Sequence, residues 1–209
     1  MKKIVAILVY VHFLGLALPH VSGCGGQADT MRSVVERDDS ALVYLERADL
    51  VIPATIEDIE VGANFNLYGK TLDDKDFDWK SLRRKYVLVK FTAMCCVPCR
   101  EEIPGMLEAY EKYHDKGLEI VSVYGVEGYL NDPLSNKVAE LESFIKKEKL
   151  PWIIISGPLT LKAGLQDPDI AFGIQRVPTM LLVDKEGKVL ATETRGARLQ
   201  QELKKLFDE

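Results

Sequence analysis

Tyr86-Val87-Leu88-Val89-Lys90-Phe91-Thr92-Ala93-Met94-Cys95-Cys96-Val97-Pro98-Cys99 decides the reading of this chain. An apolar run from Tyr86 to Phe91 predicts a buried strand, and the segment opened by Cys96-Val97-Pro98-Cys99 reads as a helix. Two thiols three residues apart at a helix start are reactive chemistry. The first would lie among unpaired backbone N–H groups at the positive end of the helix dipole, which lowers a thiol pKa below its free value of about 8.5. A thiolate attacks disulfides and a thiol does not.

Outward from this motif, the helix is expected from about Pro98 to Lys116, stopped by Gly117, with Pro104 bending it. A strand follows from Glu119 to Tyr124, completing a right-handed βαβ unit. Leu134, Val138, Leu141 and Ile145 repeat at helical spacing, and Pro151 to Ile155 reads as another buried strand. Asp167-Pro168-Asp169 starts a short helix through Phe172. Arg176-Val177-Pro178-Thr179 is a turn feeding the strand Met180 to Val183. Asp184-Lys185-Glu186-Gly187 joins it as a hairpin turn to Lys188 to Thr192, and Arg198 to Phe207 closes as an amphipathic helix. Upstream, Phe65 to Tyr68 and the stretch through Leu72 and Phe77 predict a small N-terminal hairpin. Trp152 and Phe172 are core candidates. His114 is expected to act on the dipole at the end of its helix.

The 209 residues are 28% charged with a formal net charge of -5, and they contain no long Lys/Arg run. Nucleic acid is therefore not an expected partner. Lys2-Lys3 followed by apolar Ile4 to Leu18 predict a signal peptide over residues 1–23. Val21-Ser22-Gly23-Cys24 resembles a bacterial lipobox, with Cys24 the lipidated residue of an exported, membrane-anchored lipoprotein facing the periplasm or the cell exterior. The alternative is ordinary cleavage after Gly23. Residues 24–58, with Val34, Val35, Leu42, Val43 and Leu45 at mixed spacing among charges, read as a tether with a helical piece. Of the four cysteines, Cys95, Cys96 and Cys99 cluster, which leaves no distant pair to staple the fold if Cys24 is lipidated. In an oxidising compartment such a cluster points to catalytic thiols.

On these residues, positions 61–209 resemble the TlpA/ResA-like thioredoxin family, membrane-tethered bacterial thiol–disulfide oxidoreductases. The resemblance rests on Phe65, the Cys-x-x-Cys, Glu102 and Pro104, the helix and strand at 135–155, Val177-Pro178-Thr179, and Asp184-x-x-Gly187. It implies an α/β, thioredoxin-like fold over residues 59–209, with an N-terminal β-hairpin and a central helix-strand insertion. It also implies that Cys96 is the nucleophile, Cys99 the resolving thiol and Pro178 a cis proline facing them. Val177, Pro178 and Thr179 then form the substrate-binding loop, where Val177 can offer backbone hydrogen bonds to an extended substrate. The implied partners are disulfide-bearing exported proteins and a membrane thiol electron donor, with cytochrome c maturation as a client pathway. No cofactor is implied.

Three positions depart from the family pattern. Cys95 stands where a tryptophan is usual and Thr92 where an aromatic is usual. Lys90 stands where thioredoxins carry a buried acid that moves the resolving thiol's proton. Burial could deprotonate Lys90, its charge could favour thiolate, or its head could reach solvent along its stem. Glu101 and Glu102 are the nearest replacements for the missing acid. Two other functions fit parts of the motif. Thr92-Ala93-Met94-Cys95 matches the Thr-x-x-Cys of peroxiredoxins, a thiol peroxidase reading in which Cys95 or Cys96 reacts. Cys95 to Cys99 has the CxxxC spacing of copper chaperones, although His114 is too near in sequence to be their distant histidine.

Overall fold

The computed structural model describes residues 59–125 and 134–208; the stretches expected to be a signal peptide and a tether, with Cys24, lie outside them. A central strand, β2 (Tyr86–Thr92), is buried at every position after Tyr86. It lies between β3 (Leu118–Tyr124), which runs parallel to it, and β5 (Thr179–Val183), which runs antiparallel. β4 (Ile153–Ser156) extends the sheet beyond β3 in parallel, β1 (Lys70–Thr71) pairs antiparallel with β4, and β6 (Val189–Thr192) pairs with β5. The order is β1-β4-β3-β2-β5-β6. Strands buried on both faces lose the apolar–polar alternation of a half-exposed strand, which is why β2 and β3 read as nearly continuous apolar runs.

Side-chain alternation along β2 divides two cores. Val87, Val89 and Phe91 pack with Phe65, Trp79, Val121, Val123 and Phe172. Leu88 points the other way, into a cluster with Ile103, Met106, Ile120, Tyr124, Leu141, Met180, Leu199 and Leu203. The helices on that face are α2 (Ile103–Tyr113), α3 (Leu134–Glu148) and α6 (Gly196–Phe207). Trp152 and Phe172 are core residues, as expected.

The helix expected over 98–116 is divided. α1 (Val97–Glu101) ends at Glu102, α2 starts at Ile103 with Pro104 in its first turn, and a 3₁₀ turn follows at His114–Lys116. Proline supplies no N–H to continue the ladder from α1, and it fits a first turn, where that donor has no intrahelical partner. Gly117, at φ +104°, takes the left-handed conformation that stops the segment. The N-terminal hairpin is smaller than the sequence suggests. Its arms meet where Lys70 bridges Asp76 and Phe77 N–H donates to Gly69 O at 2.9 Å. Residues near Phe65 run beside β6 instead, Phe65 N–H donating to Gly187 O at 2.8 Å, because Phe65 and Leu67 are buried. A helix absent from the sequence reading, α4 (Gly157–Lys162), follows β4 directly, with Ser156 Oγ accepting from Leu159 N–H. Ser156 and Pro158 are a cap and first-turn pair whose signal is legible in retrospect. The expected short helix is α5 (Pro168–Ala171), capped by Asp167.

Candidate active site

The end of β2 passes through Ala93 and Met94 into Cys96, which is the N-cap of α1. Its extended backbone (φ -76°, ψ 106°) turns the chain, and its sulfur accepts from Cys99 N–H at 3.2 Å. A sulfur therefore occupies the place of the usual capping oxygen and meets one of the helix's unpaired donors. Cys96 and Cys99 form a disulfide, with Cα atoms 5.2 Å apart. The two sulfurs differ in access: Cys96 is half-buried, whereas Cys99 is 1% exposed. An incoming thiol or disulfide thus reaches Cys96 and not Cys99. Cys95 and Val97 beside them are exposed.

Val177-Pro178 is the cis peptide that the resemblance implies. Its loop lies against the motif, with Val177 O 3.7 Å from Cys96 Sγ. Thr179 is buried, and its hydroxyl donates to Arg176 O at 2.7 Å, holding the turn that presents Val177. Two stretches far apart in sequence, 96–99 and 177–179, thereby converge, because β2 and β5 are adjacent and antiparallel.

Lys90 does not reach solvent. It is 1% exposed, and its Nζ donates to the Cys99 carbonyl oxygen at 2.7 Å. Burial pulls its pKa down to about 8, against the opposing attraction of Glu102. Of the two candidate acids, Glu101 is exposed. Glu102 is half-buried at the α1–α2 junction, where Oε2 accepts from Gly196 N–H at 2.9 Å. Thr92 is buried at 2% exposure. Of the two cysteines in the CxxxC spacing of the copper reading, Cys99 is bonded to Cys96. His114 stacks on Tyr110, its Nδ1 3.1 Å from Leu118 O, at the opposite end of α2 from the motif.

Two neighbouring hollows were not foreseen. One, of about 480 Å³, is lined by Met94 and Cys95 from the motif and by Glu140, Ser143, Phe144 and Lys147 from α3. The other, of about 200 Å³, lies by the proline loop between Arg176, Thr179 and Glu193. Nothing in α3's spacing distinguishes its hollow-facing residues from those of an ordinary amphipathic helix. The Glu193 loop is brought near by the β5–β6 pairing and not by sequence proximity.

The Redoxin family model matches residues 57–206. The chain belongs to the Redoxin family. It is 30% identical over 150 residues to the thiol-disulfide oxidoreductase ResA of Bacillus thuringiensis subsp. konkukian, covering 70% of this chain and 76% of that one. The ResA of Halalkalibacterium halodurans is 28% identical over 137 residues, 66% of this chain and 68% of its own. Among solved structures, the thioredoxin domain of a thiol-disulfide oxidoreductase from Bacteroides vulgatus superposes with a TM-score of 0.57 at 26% identity, covering 71% of this chain and 99% of that one. A thiol:disulfide interchange protein from Bacteroides sp. gives 0.59 at 27% identity, covering 72% and 92%. The fold is thioredoxin-like, and the protein is a protein-disulfide oxidoreductase of the ResA-like kind, as the sequence resemblance implied.

Proposed function

We propose that this Redoxin-family protein reduces disulfides in exported proteins from a membrane-anchored position. The observation that carries the reading is the asymmetry of the thiol pair: a half-buried Cys96 at a helix start, joined to a buried Cys99 and facing the Val177 carbonyl. In the reduced protein, the Cys96 thiolate attacks one sulfur of a client disulfide, and the other client sulfur leaves as a thiolate. Cys99 then attacks Cys96 Sγ, freeing the second client sulfur and leaving Cys96–Cys99 oxidised. Val177, Pro178 and Thr179 form the edge along which an extended client segment lies, its main chain bonding to Val177. Cys95 flanks the pair as an auxiliary residue. A membrane thiol donor recharges the disulfide, and cytochrome c maturation is the client pathway the resemblance suggests. Residues 1–23 are the signal peptide, Cys24 carries lipid, residues 24–58 are the tether, and residues 59–209 are the catalytic domain.

Insulin reduction with dithiothreitol as donor tests the chemistry. Cys96→Ser should fall to the uncatalysed rate, and Cys99→Ser should accumulate a mixed disulfide with the client. Full activity in Cys96→Ser overturns the assignment. Equilibration of Cys96–Cys99 with glutathione tests direction: a potential well below that of glutathione supports reduction, and a value above it makes the protein an oxidant. For the anchor, Cys24→Ser should move the protein from the membrane to the soluble fraction. Identical fractionation, with no lipid mass on the mature N-terminus of the parent, excludes the lipoprotein reading.

A further inference from the structure

The thiol-bearing face of β2 delivers an amine to the residue that carries the resolving sulfur. Lys90 is 1% exposed and bonded through Nζ to Cys99 O at 2.7 Å. Its surroundings can be named element by element. The α1–α2 segment supplies Cys99 and Glu102, whose negative charge attracts the ammonium. β3 supplies Ser122 in register with Lys90, its hydroxyl accepting from Trp152 Nε1 at 2.9 Å. One pair further along lies Tyr124, opposite Thr92, a phenol held neutral by burial and by Glu148. β5 supplies Met180, which carries no charge. Glu102 is engaged with Gly196 N–H, so the group that holds Cys99 itself is the lysine.

We propose that Lys90 is the proton partner of Cys99, accepting the resolving thiol's proton during turnover and holding its thiolate in the reduced protein. This rests on the roles given above to Cys96 and Cys99. The physical reason is charge conservation in a buried place. With the disulfide closed, a protonated Lys90 is a desolvated cation, which burial disfavours. With the disulfide open, amine and thiol share one proton. Ammonium with thiolate and amine with thiol both have zero net charge, so the interior accommodates either, and the two groups titrate as a coupled pair.

In the resolution step Cys99 Sγ–H gives its proton to Lys90 Nζ in its neutral form, a minor fraction at pH 7 that grows as pH rises toward about 8. The Cys99 thiolate forms a bond to Cys96 Sγ, and the bond from Cys96 Sγ to the client sulfur breaks, its electron pair leaving on the client. The client thiolate then takes the proton from Lys90, which returns to the neutral amine. Two electrons pass from the dithiol to the client disulfide, and no further reactant is needed. A carboxylate at this place would be a base of opposite charge type: sharing one proton with the thiol, it would leave the buried pair with one net negative charge in either form. With Lys90 the pair carries none.

The experiment isolates the two half-reactions with an aromatic thiol label. Attack is measured as reaction of reduced Cys99→Ser with 5,5′-dithiobis(2-nitrobenzoate), with and without Lys90→Met. Resolution is measured as loss of the label from Cys96 in protein retaining Cys99, across pH 5–10. Lys90→Met should slow resolution at least tenfold at pH 7 and move its pH profile to higher pH, while attack changes less than threefold. Equal resolution rates and pH profiles in parent and Lys90→Met overturn the proposal. Failure of Cys96 to react at all would instead sink the reading of the thiol pair. If Lys90→Met does not fold, ¹⁵Nζ titration of the parent decides: a higher Lys90 pKa in the reduced than in the oxidised protein supports the proposal, and equal values refute it.

Discussion

The two faces of β2 are built on opposite rules. On one, Val87, Val89 and Phe91 pack into an apolar cluster; Phe172 sits 5.4 Å from Phe65 and 5.6 Å from Phe91, centroid to centroid. On the other, Leu88 is followed by Lys90 and Thr92, both buried, and by the helix that carries the thiols. Burying an ammonium costs several kcal/mol where an aliphatic side chain would contribute stability. The comparison teaches where this fold spends stability on chemistry: on the single face whose strand runs into the Cys-x-x-Cys.

That division can be broken by perturbing each face separately. Phe172→Ala, on the apolar face, should lose about 3–5 kcal/mol of unfolding free energy. The Cys96–Cys99 potential should stay unchanged, as measured by urea denaturation and glutathione equilibration. A shifted potential in this variant would mean that the faces are coupled.

Next in size is the pH dependence of the oxidised protein. The Lys90 pKa is lowered from 10.5 to about 8 in the folded state. Between these values the unfolded chain binds more protons than the native one, so this group adds stability as pH rises through the window. Below pH 8 both states are protonated and the cost is fully present. The difference in stability between parent and Lys90→Met should therefore shift in favour of the parent by about 3 kcal/mol, as an upper bound, from pH 7.5 to 10.5. Urea denaturation of both oxidised proteins over that range checks it, and a flat difference would show that Lys90 is not carrying a buried charge.

Ser122→Ala sharpens the same face at a smaller scale. It removes the acceptor of Trp152 Nε1, and an unsatisfied buried donor costs about 1–3 kcal/mol. The loss should appear as a lowered urea midpoint with an unchanged slope. The smallest effect belongs to Cys95→Ala. The Cys96–Cys99 pair is complete without that exposed residue, and insulin reduction should stay within about twofold of the parent. A loss of most activity would make a three-thiol mechanism the better one.

Much of this architecture was legible in the residues because local signals agreed with the tertiary outcome. The β2 run, the helical start at Cys96, the stop at Gly117, the Asp184 turn and the repeat in α6 each follow from periodicity or turn chemistry. The division of the active-site helix was half-legible: Pro104 announced a bend, and the structure shows a break. The arms of the small N-terminal hairpin were legible only in part, because the spacing of Phe65 and Leu67 says that they are buried, not whether their backbone pairs with a neighbour in sequence or with β6.

What the sequence by itself determined is the chemistry and its frame: two thiols at a helix start, a proline turn, and alternating strands and helices whose pattern admits few topologies. Tertiary structure alone decided which groups meet. Val177 reaches Cys96 because β5 lies antiparallel beside β2. Lys90 is forced to remain inside because the sheet is covered on both faces, so its stem has no route to water and its amine takes the Cys99 carbonyl instead. Spacing along a chain encodes local geometry; the depth of burial that sets a lysine's charge is a property of everything packed around it.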